Sequence, residues 1–452
     1  MALPLRQIDQ SALELLREKF VAAWARSDEI FSIVPVAEML ATPIIWRHPF
    51  IFYVGHLPAF SWNQVCSGIL KWKSLNPGFD ELFCRGIDPD VDTGECHWHP
   101  DVPDEWPSLE QTLSYRDKVR AAILDALEAF TDGWSSEIMA RGGRVFHMVL
   151  EHEYMHQETL LYMIGQMPLA KKTPLNFLRR YSFQSNRRTE TIFIPAGKAR
   201  LGSRFDELNF GWDNEFEEIT RNVPSFGIES LPVTNGQFFE FVVSGGYENE
   251  RHWRPEDWRW KKLEQKNHPS CWLKQGVDWF YRAMFDRFPL TQVSNWPVYV
   301  SLAEARAYAR WCGKRLPTEA EFHRAAYYGP DGRESAYPWG DTVPSQRHGN
   351  FDFVSWSPLP VGSNPAGDSR WGVSELVGNG WELTDSTFAP HPGFKAYMTS
   401  YPDYSQDFFD GKHFVLKGGS WATDAALLRP SFRNWYQAHY PYVFAKFRCA
   451  SN

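Results

Sequence analysis

The segment from residue 151 to residue 160 reads EHEYMHQETL and contains two histidines four positions apart, His152 and His156. On an α-helix this spacing places both imidazoles on one face, one turn apart, where two ring nitrogens can bind the same metal ion. With Glu153 between them, the residues also match H-E-x-x-H, in which zinc proteases use the Glu as general base. Five-residue motifs occur often by chance, so the pattern indicates a metal site but does not by itself establish a protease.

A third histidine lies in a comparable helical pattern earlier in the chain. His56 follows Phe52 by one turn and precedes Phe60 by one turn, so it belongs to an apolar stripe that predicts an inward-facing side chain. Three imidazoles facing one interior each need a polar partner there, and a shared metal ion would meet that need. Imidazole suits Zn, Cu, Fe and Ni alike, so a zinc hydrolase stays open on ligand type. The other alternative is three structural histidines, each satisfied by a hydrogen bond.

Four segments near the N-terminus have apolar residues at three-and-four spacing and therefore predict helices. They run from 11 to 34, 48 to 72, 108 to 130 and 144 to 167. Helices of this length predict a four-helix bundle, with His56 on the second helix and the histidine pair on the fourth. The connection 76–108 is rich in Pro, Gly and Asp and is a candidate lid over one end of the bundle.

The 452 residues are enough for two domains with separate cores. Residues 1–170 are predicted to form the bundle, 171–189 a basic, polar linker, and 190–452 a second domain. Short segments punctuated by Gly, Pro, Asn and Asp predict a loop-rich α+β fold for this second domain. Its one clear helix begins at Ser301, with Glu304 three positions later in the arrangement of a capping box.

Charge and cysteine content restrict the kinds of partner. A net charge of −8 provides no broad basic field, so neither nucleic acid nor an anionic membrane is an expected partner, and small molecules are expected instead. Six cysteines without a C-x-x-C pair, and an N-terminus without an apolar segment of signal-peptide length, predict a reducing, cytoplasmic location. No apolar run is long enough for a transmembrane helix. The sequence does not indicate the oligomeric state.

The second domain resembles the formylglycine-generating-enzyme superfamily. The resemblance rests on six segments in family order: IPAGKARLGS (194–203), PVTNGQFFEF (232–241), WCGKRLPTEAEFHRAA (311–326), LVGNGWELTDS (376–386), LKGGSWAT (416–423) and FRCA (447–450). It implies a loop-rich fold similar to C-type lectins. Members that oxidise sulfatase cysteines use a cysteine pair near the C-terminus, whereas Cys449 has no second cysteine nearby, so that activity is not expected.

The first domain resembles DinB-type helical bundles in YVGHLPAF, which contains His56, and in HEYMHQE. Together the two domains resemble the ergothioneine-biosynthesis sulfoxide synthases (EgtB-like) and their ovothiol-pathway relatives. This resemblance implies a non-haem Fe(II) held by a three-histidine facial triad of His56, His152 and His156. It also implies that the sulfur of a thiol is joined to a carbon of an imidazole substrate with O2 as oxidant; the leading hypothesis is that cysteine is joined to C2 of hercynine.

The same resemblance implies roles for four further residues, and the carboxylate of the thiol substrate, which needs a cation near the iron, adds a fifth. Tyr401 is the first candidate and Tyr404 the second for a tyrosine that supplies a proton during O2 activation. Asn434 and Trp435 match a segment that binds the imidazole substrate, and Trp435 suits its trimethylammonium group through cation–π attraction. Arg85, on the candidate lid, is the candidate for binding the carboxylate of the thiol substrate.

Three departures from the family pattern bear on the substrates. Relatives that use γ-glutamylcysteine carry an acidic residue and an arginine where this chain has Tyr436 and Tyr440, which favours cysteine. Some synthases bind the imidazole substrate with a Gln where this chain has Met155. The choice between hercynine and histidine as that substrate therefore stays open. Ovothiol-type enzymes usually carry a fused methyltransferase domain, which this sequence does not show, and this favours hercynine. The alternatives are an ovothiol-type histidine/cysteine sulfoxide synthase and a non-catalytic metal- or ligand-binding protein.

Overall fold

The computed structural model describes residues 10–84, 103, 105–131, 137–175, 181–185, 187–398 and 403–452. The chain forms two compact units. The first comprises Met1–Asn176, Arg204–Asp213 and Lys395–Tyr404, and the second comprises Phe177–Ser203, Asn214–Phe394 and Ser405–Asn452. Two short segments that follow the predicted bundle in sequence, Arg204–Asp213 and Lys395–Tyr404, thus belong to the first unit.

The first unit is an all-α bundle, as the apolar periodicity predicts. Its helices are α1 (Gln10–Ser32), α2 (Phe50–Ser61), α3 (Pro77–Leu82), α4 (Leu109–Glu128) and α5 (Arg144–Gln166). A π-helical segment, Trp62–Ile69, extends α2. The side chain of Ser108 accepts the N–H of Gln111 at the start of α4, and the side chain of Gln111 accepts the N–H of Ser108. This capping box satisfies backbone groups that have no partner within the helix.

The two helices that carry the histidines are the most buried elements of this unit. Every residue of α2 is buried, and α2 packs against α4 and α5. Eighteen of the 23 residues of α5 are buried, and α1 packs against it. A polar side chain on either helix is therefore withdrawn from water and needs a partner inside the protein. None of the helices in the described part of the chain is both long and apolar enough to cross a membrane.

The second unit is the predicted loop-rich α+β domain. Its helices are α6 (Asn235–Val243), α7 (Pro255–Leu263), α8 (Leu302–Trp311) and α9 (Glu319–Tyr327). One further helical turn, α10 (Asp403–Gln406), begins in the last segment of the first unit and ends in the second. The predicted helix at Ser301 is confirmed as α8, with its capping box formed by Ser301 and Glu304. The sequence prediction missed α6 and α9, although both also begin with capping boxes, at Thr234 and Thr318.

Twelve short strands form four small sheets in the described part of this unit. The strands are β1 (Thr191–Ile194), β2 (Gly197–Leu201), β3 (Ile219–Val223), β4 (Phe226–Glu229), β5 (Trp272–Gln275), β6 (Asp278–Arg282), β7 (Arg287–Pro289), β8 (Trp381–Thr387), β9 (His413–Lys417), β10 (Asn434–Gln437), β11 (Ala445–Lys446) and β12 (Ala450–Ser451). The largest sheet has the order β10-β9-β8-β11, antiparallel except for the β8–β11 pair.

Buried ion pairs hold this four-stranded sheet to its surroundings. The guanidinium of Arg448 and the ammonium of Lys446 lie 2.7 and 3.2 Å from the carboxylate of Glu382 on β8, and all three side chains are fully buried. Next to β10, the guanidinium of Arg433 pairs with Glu319 of α9 at 3.0 Å. Because an unpaired charge in these places would be costly, the pairs determine how the strands can pack.

Candidate metal centre

The three predicted histidines converge inside the bundle. One ring nitrogen from each of His56, His152 and His156 lies within 4.8 Å of the other two. The Nε2 atoms of His56 and His156 are 3.2 Å apart. Among the residues that the structure describes, this is the one group of three or more His, Cys, Asp or Glu side chains close enough to share an ion.

The chemistry of this group fits a metal ion. Bonds of about 2.0–2.1 Å from a metal to imidazole nitrogens place neighbouring ligand atoms about 2.9–3.4 Å apart, which includes the observed separation of the two Nε2 atoms. Burial lowers the pKa of His56 to about 4 and lowers the pKa values of His152 and His156 well below the usual range. Neutral imidazole is the form that binds a metal. Without a cation or a shared proton, the ring lone pairs would repel each other at this distance.

A hydrogen bond orients His56 for this role. Its Nδ1–H donates to the carbonyl oxygen of Phe83 at 2.7 Å, which leaves the Nε2 lone pair directed away from Phe83 and towards the other imidazoles. The residue before it is Gly55, and a Cβ added there would lie 2.5 Å from the ring of Phe83. Glycine at this position therefore allows Phe83 to come close enough for its carbonyl to reach His56.

Aromatic rings surround the imidazoles. The ring of Phe60 stacks on His152 with a centroid distance of 3.6 Å and an interplanar angle of 7°. Phe52 stacks on His56 at 5.0 Å and 18°, and the ring of Tyr53 lies 5.7 Å from that of His156. These contacts fix the ring planes and contribute to the burial that keeps the imidazoles neutral.

Glu153, the glutamate of the H-E-x-x-H pattern, faces away from the histidines. Its carboxylate accepts the hydroxyl of Ser27 on α1 at 2.5 Å, and the amide of Gln157 donates to the same hydroxyl at 3.1 Å. Burial raises the pKa of Glu153 to about 7. A zinc protease needs this carboxylate beside the metal, so the geometry argues against the protease interpretation.

Tyr404, the second candidate for the catalytic tyrosine, belongs to the same unit as the histidines. Its hydroxyl contacts the thioether sulfur of Met155 at 3.7 Å, and Met155 directly precedes His156 on α5. The first candidate, Tyr401, and the predicted carboxylate-binding Arg85 lie outside the described residues, as does most of the candidate lid.

Asn434 and Trp435, the predicted substrate-binding pair, lie on β10 in the second unit. Trp435 stacks on Phe388 at 4.3 Å and 8°, and its backbone N–H donates to the side chain of Asn434 at 2.9 Å. Neighbouring side chains on a strand point to opposite faces, so the two side chains do not share a face of the sheet. Both remain partly exposed.

Known proteins share both parts of this chain. Residues 180–452 match the sulfatase-modifying factor enzyme 1-like domain, and residues 19–160 match the DinB superfamily. A hercynine oxygenase of Mycobacterium tuberculosis is 36% identical over 348 residues, which cover 76% of this chain and 78% of that protein. The chain belongs to the hercynine oxygenase family. Another hercynine oxygenase, from Mycolicibacterium thermoresistibile, is 35% identical over 76% of this chain and 75% of its own length.

A longer relative extends this comparison. The ergothioneine biosynthesis protein 1 of Neurospora crassa is 30% identical over 96% of this chain, which spans 57% of the length of that protein. The three histidines of this hercynine oxygenase family member lie within residues 19–160, the part that matches the DinB superfamily. Asn434 and Trp435 lie within the part that matches the sulfatase-modifying factor domain.

Sequence reasoning missed the groups that orient the histidines. The carbonyl of Phe83 has no sequence signal, because any residue carries one. Gly55 directly before His56 is the one available hint, since a glycine inside a buried helix often marks a close approach. The indole N–H of Trp212 donates to Glu151 on α5 at 2.9 Å. Trp212 is distant in sequence from α5, and no periodic pattern connects them.

Proposed function

We propose that this protein is an Fe(II)- and O2-dependent sulfoxide synthase that joins the sulfur of cysteine to C2 of hercynine and oxidises that sulfur. The observation that carries the proposal is the cluster of His56, His152 and His156 in a member of the hercynine oxygenase family. The protease alternative loses support because Glu153 hydrogen-bonds to Ser27 on α1.

The electron balance needs no external reductant. Forming the carbon–sulfur bond removes two electrons from the two substrates, and oxidising the sulfur to a sulfoxide removes two more. One O2 accepts all four electrons, so that one oxygen atom enters the sulfoxide and the other leaves as water. The bound Fe(II) would supply the redox chemistry with O2 and coordination positions for substrates, and the three histidines would hold it.

The protein's own residues would bind and orient the substrates. Trp435 would attract the trimethylammonium group of hercynine with its partly exposed indole. Asn434, on the other face of β10, would hold the backbone at Trp435 through the hydrogen bond that its side chain accepts from the Trp435 N–H, and Arg85 would bind the carboxylate of cysteine. A tyrosine, Tyr401 or Tyr404, would hold the proton delivered during O2 activation. Contact of Tyr404 with Met155 supports its place near the metal.

Two stacked tyrosines support cysteine rather than γ-glutamylcysteine as the sulfur donor. Tyr436 and Tyr440 stack at 5.4 Å and 10°, at the positions where γ-glutamylcysteine-using relatives carry an acid and an arginine. The pair offers no charge to the amino or carboxylate group of a γ-glutamyl extension. We expect kcat/KM to be higher for cysteine, and a clear preference for the longer thiol would reject this assignment.

The central test is anaerobic loading with Fe(II), followed by O2 uptake in the presence of hercynine and cysteine. We expect O2 consumption that depends on both substrates and a coupled sulfoxide by mass spectrometry. His152→Ala should abolish both signals, whereas His147→Ala, the same change on α5 outside the cluster, should keep them. Wild-type protein with bound iron but no coupled product would refute the proposed function.

Histidine is the alternative imidazole substrate, because Met155 cannot donate a hydrogen bond in the way a glutamine can. Comparison of kcat/KM for hercynine and histidine separates these two assignments, and we expect hercynine to be preferred.

We also propose a reducing, cytoplasmic setting. The cysteines in the described part of the chain are present as thiols, which this setting would preserve.

A further inference from the structure

Helix α5 contacts the two later segments of the first unit through a face next to the one that bears the histidines. Trp212, of the segment Arg204–Asp213, is 1% exposed, and its indole N–H donates to the carboxylate of Glu151 at 2.9 Å. Glu151 precedes His152 by one residue, so its side chain lies about 100° around the helix from that imidazole. The hydrogen bond therefore ties Trp212 to α5 beside the histidine cluster.

Trp212 also holds Tyr404, the last residue of the segment Lys395–Tyr404. Its indole stacks on the ring of Tyr404 with centroids 4.0 Å apart and an interplanar angle of 25°. The hydroxyl of Tyr404 in turn contacts the sulfur of Met155 at 3.7 Å. Glu151 and Met155 are four residues apart, on one face of α5 and one turn from each other. The contacts thus form a closed ring from α5 through Trp212 and Tyr404 back to α5.

A second set of contacts joins these segments to the start of α5. The guanidinium of Arg144 lies over the ring of Phe205 at 4.1 Å and donates to the carbonyl of Phe205 at 3.2 Å. The hydroxyl of Tyr397 donates to the carbonyl of Gly211, which connects the two segments to each other. These contacts hold the segment Arg204–Asp213, which carries Trp212, to the start of α5.

We propose that Trp212 is a positioning residue that fixes the phenol of Tyr404 at the turn of α5 carrying His152 and His156. The stack sets the plane of the Tyr404 ring, and the hydrogen bond to Glu151 sets the position of the stack along the helix. Without Trp212, the hydroxyl would no longer be held at one place beside the metal site. This inference rests on the proposed function for its consequence in catalysis, but the contacts can be tested without turnover.

The test combines fluorine NMR of the metal-free protein with kinetics of the Fe(II)-loaded protein. With 3-fluorotyrosine at position 404, the stacked indole should displace the resonance from its value in the unfolded chain. Trp212→Leu and Glu151→Leu should shift the resonance back towards that value or broaden it. Glu151→Gln, which keeps an oxygen acceptor for the indole N–H, should leave it in place.

In the loaded enzyme, Trp212→Leu should lower kcat/KM by about 10- to 100-fold, because small displacements of a reacting group cost that much. Fe(II) affinity should stay within about twofold, since all three imidazoles are intact. If Trp212 acts through Tyr404, adding Trp212→Leu to Tyr404→Phe should change kcat/KM by no more than about twofold. If Trp212→Leu does not fold, Glu151→Leu, which leaves the indole present, serves in its place.

Two results would overturn the inference: a resonance at position 404 that is unchanged by Trp212→Leu or its substitute, or a full additional loss of activity in the Tyr404→Phe background. A wild-type enzyme that does not couple hercynine and cysteine would refute the proposed function alone. The fluorine resonance would still decide whether Trp212 positions Tyr404.

Discussion

Gly55→Ala is expected to weaken metal binding without altering a ligand. A Cβ at position 55 would lie 2.5 Å from two ring carbons of Phe83 and 2.6 Å from a third. Ordinary carbon contacts need roughly 3.5–4.0 Å, so the ring must move by about 1 Å or more. The carbonyl of the same residue accepts the Nδ1–H of His56 at 2.7 Å, so this displacement would stretch or break the bond that orients the ligand.

The size of the effect follows from the loss of that orienting bond. Losing a partner of this kind typically reduces metal affinity by about 10- to 100-fold, which corresponds to about 1.4–2.7 kcal/mol. The overpacked helix should also lower the free energy of unfolding of the metal-free protein by about 1–3 kcal/mol. Competition between the protein and a chelator for Fe(II), under anaerobic conditions, measures the first quantity. Denaturant unfolding measures the second.

Gly165→Ala provides the matched control. Position 165 also lies within a helix, α5, and a Cβ there would have no atom within 4 Å. The gain in helix propensity from Gly to Ala, up to about 1 kcal/mol, is comparable in the two variants, so the comparison isolates the clash with Phe83. An Fe(II) affinity for Gly55→Ala equal to that of Gly165→Ala would refute the role assigned to the Phe83 carbonyl.

Three further substitutions test other parts of the structure. His56→Ala should leave the protein without stoichiometric iron after reconstitution, and full iron content by elemental analysis would contradict its assignment as a ligand. Glu153→Gln should keep both iron and turnover, because Glu153 bonds to Ser27 on α1 rather than facing the cluster; loss of turnover with iron retained would restore a general-base role. Burial alone would raise the pKa of Glu319, but Arg433 and nearby cations lower it from 4.5 to about 2. At pH values above the pKa that Glu319 has in the unfolded chain, this lowered pKa stabilises the folded state by at most about 3 kcal/mol. The stabilisation is lost as the pH falls towards 2. The stability advantage of wild type over Glu319→Gln, from denaturant unfolding, should therefore be smaller at pH 3 than at pH 7, and an equal advantage at both would reject this account.

The sequence is most informative where the governing physics is local. Apolar periodicity predicts the four long helices, because helix geometry repeats within a few residues. The spacing of His152 and His156 predicts two ligands on one face for the same reason. In the second unit, capping boxes at Thr234 and Thr318 are local signals for the starts of α6 and α9. The prediction missed both helices because they lie among loop-like segments.

The histidine cluster follows partly from the sequence and partly from the tertiary structure. Sequence alone predicted that His56 and the pair on α5 share one interior, and the observed cluster agrees with this. Because α2 is buried on every side and α5 on nearly every side, burial does not distinguish the face that bears the histidines from the others. Only the packing of α1 shows that Glu153 belongs to a different face.

The sequence by itself determined the type of chemistry, through the histidine spacing and the motifs of the two families. The tertiary structure decided how that chemistry is held in place. The carbonyl of Phe83, the stack of Phe60 on His152 and the ring of contacts through Trp212 and Tyr404 all join residues that are far apart in the chain. Such contacts depend on how whole elements pack, and packing is a property of the complete fold that no short pattern of residues encodes.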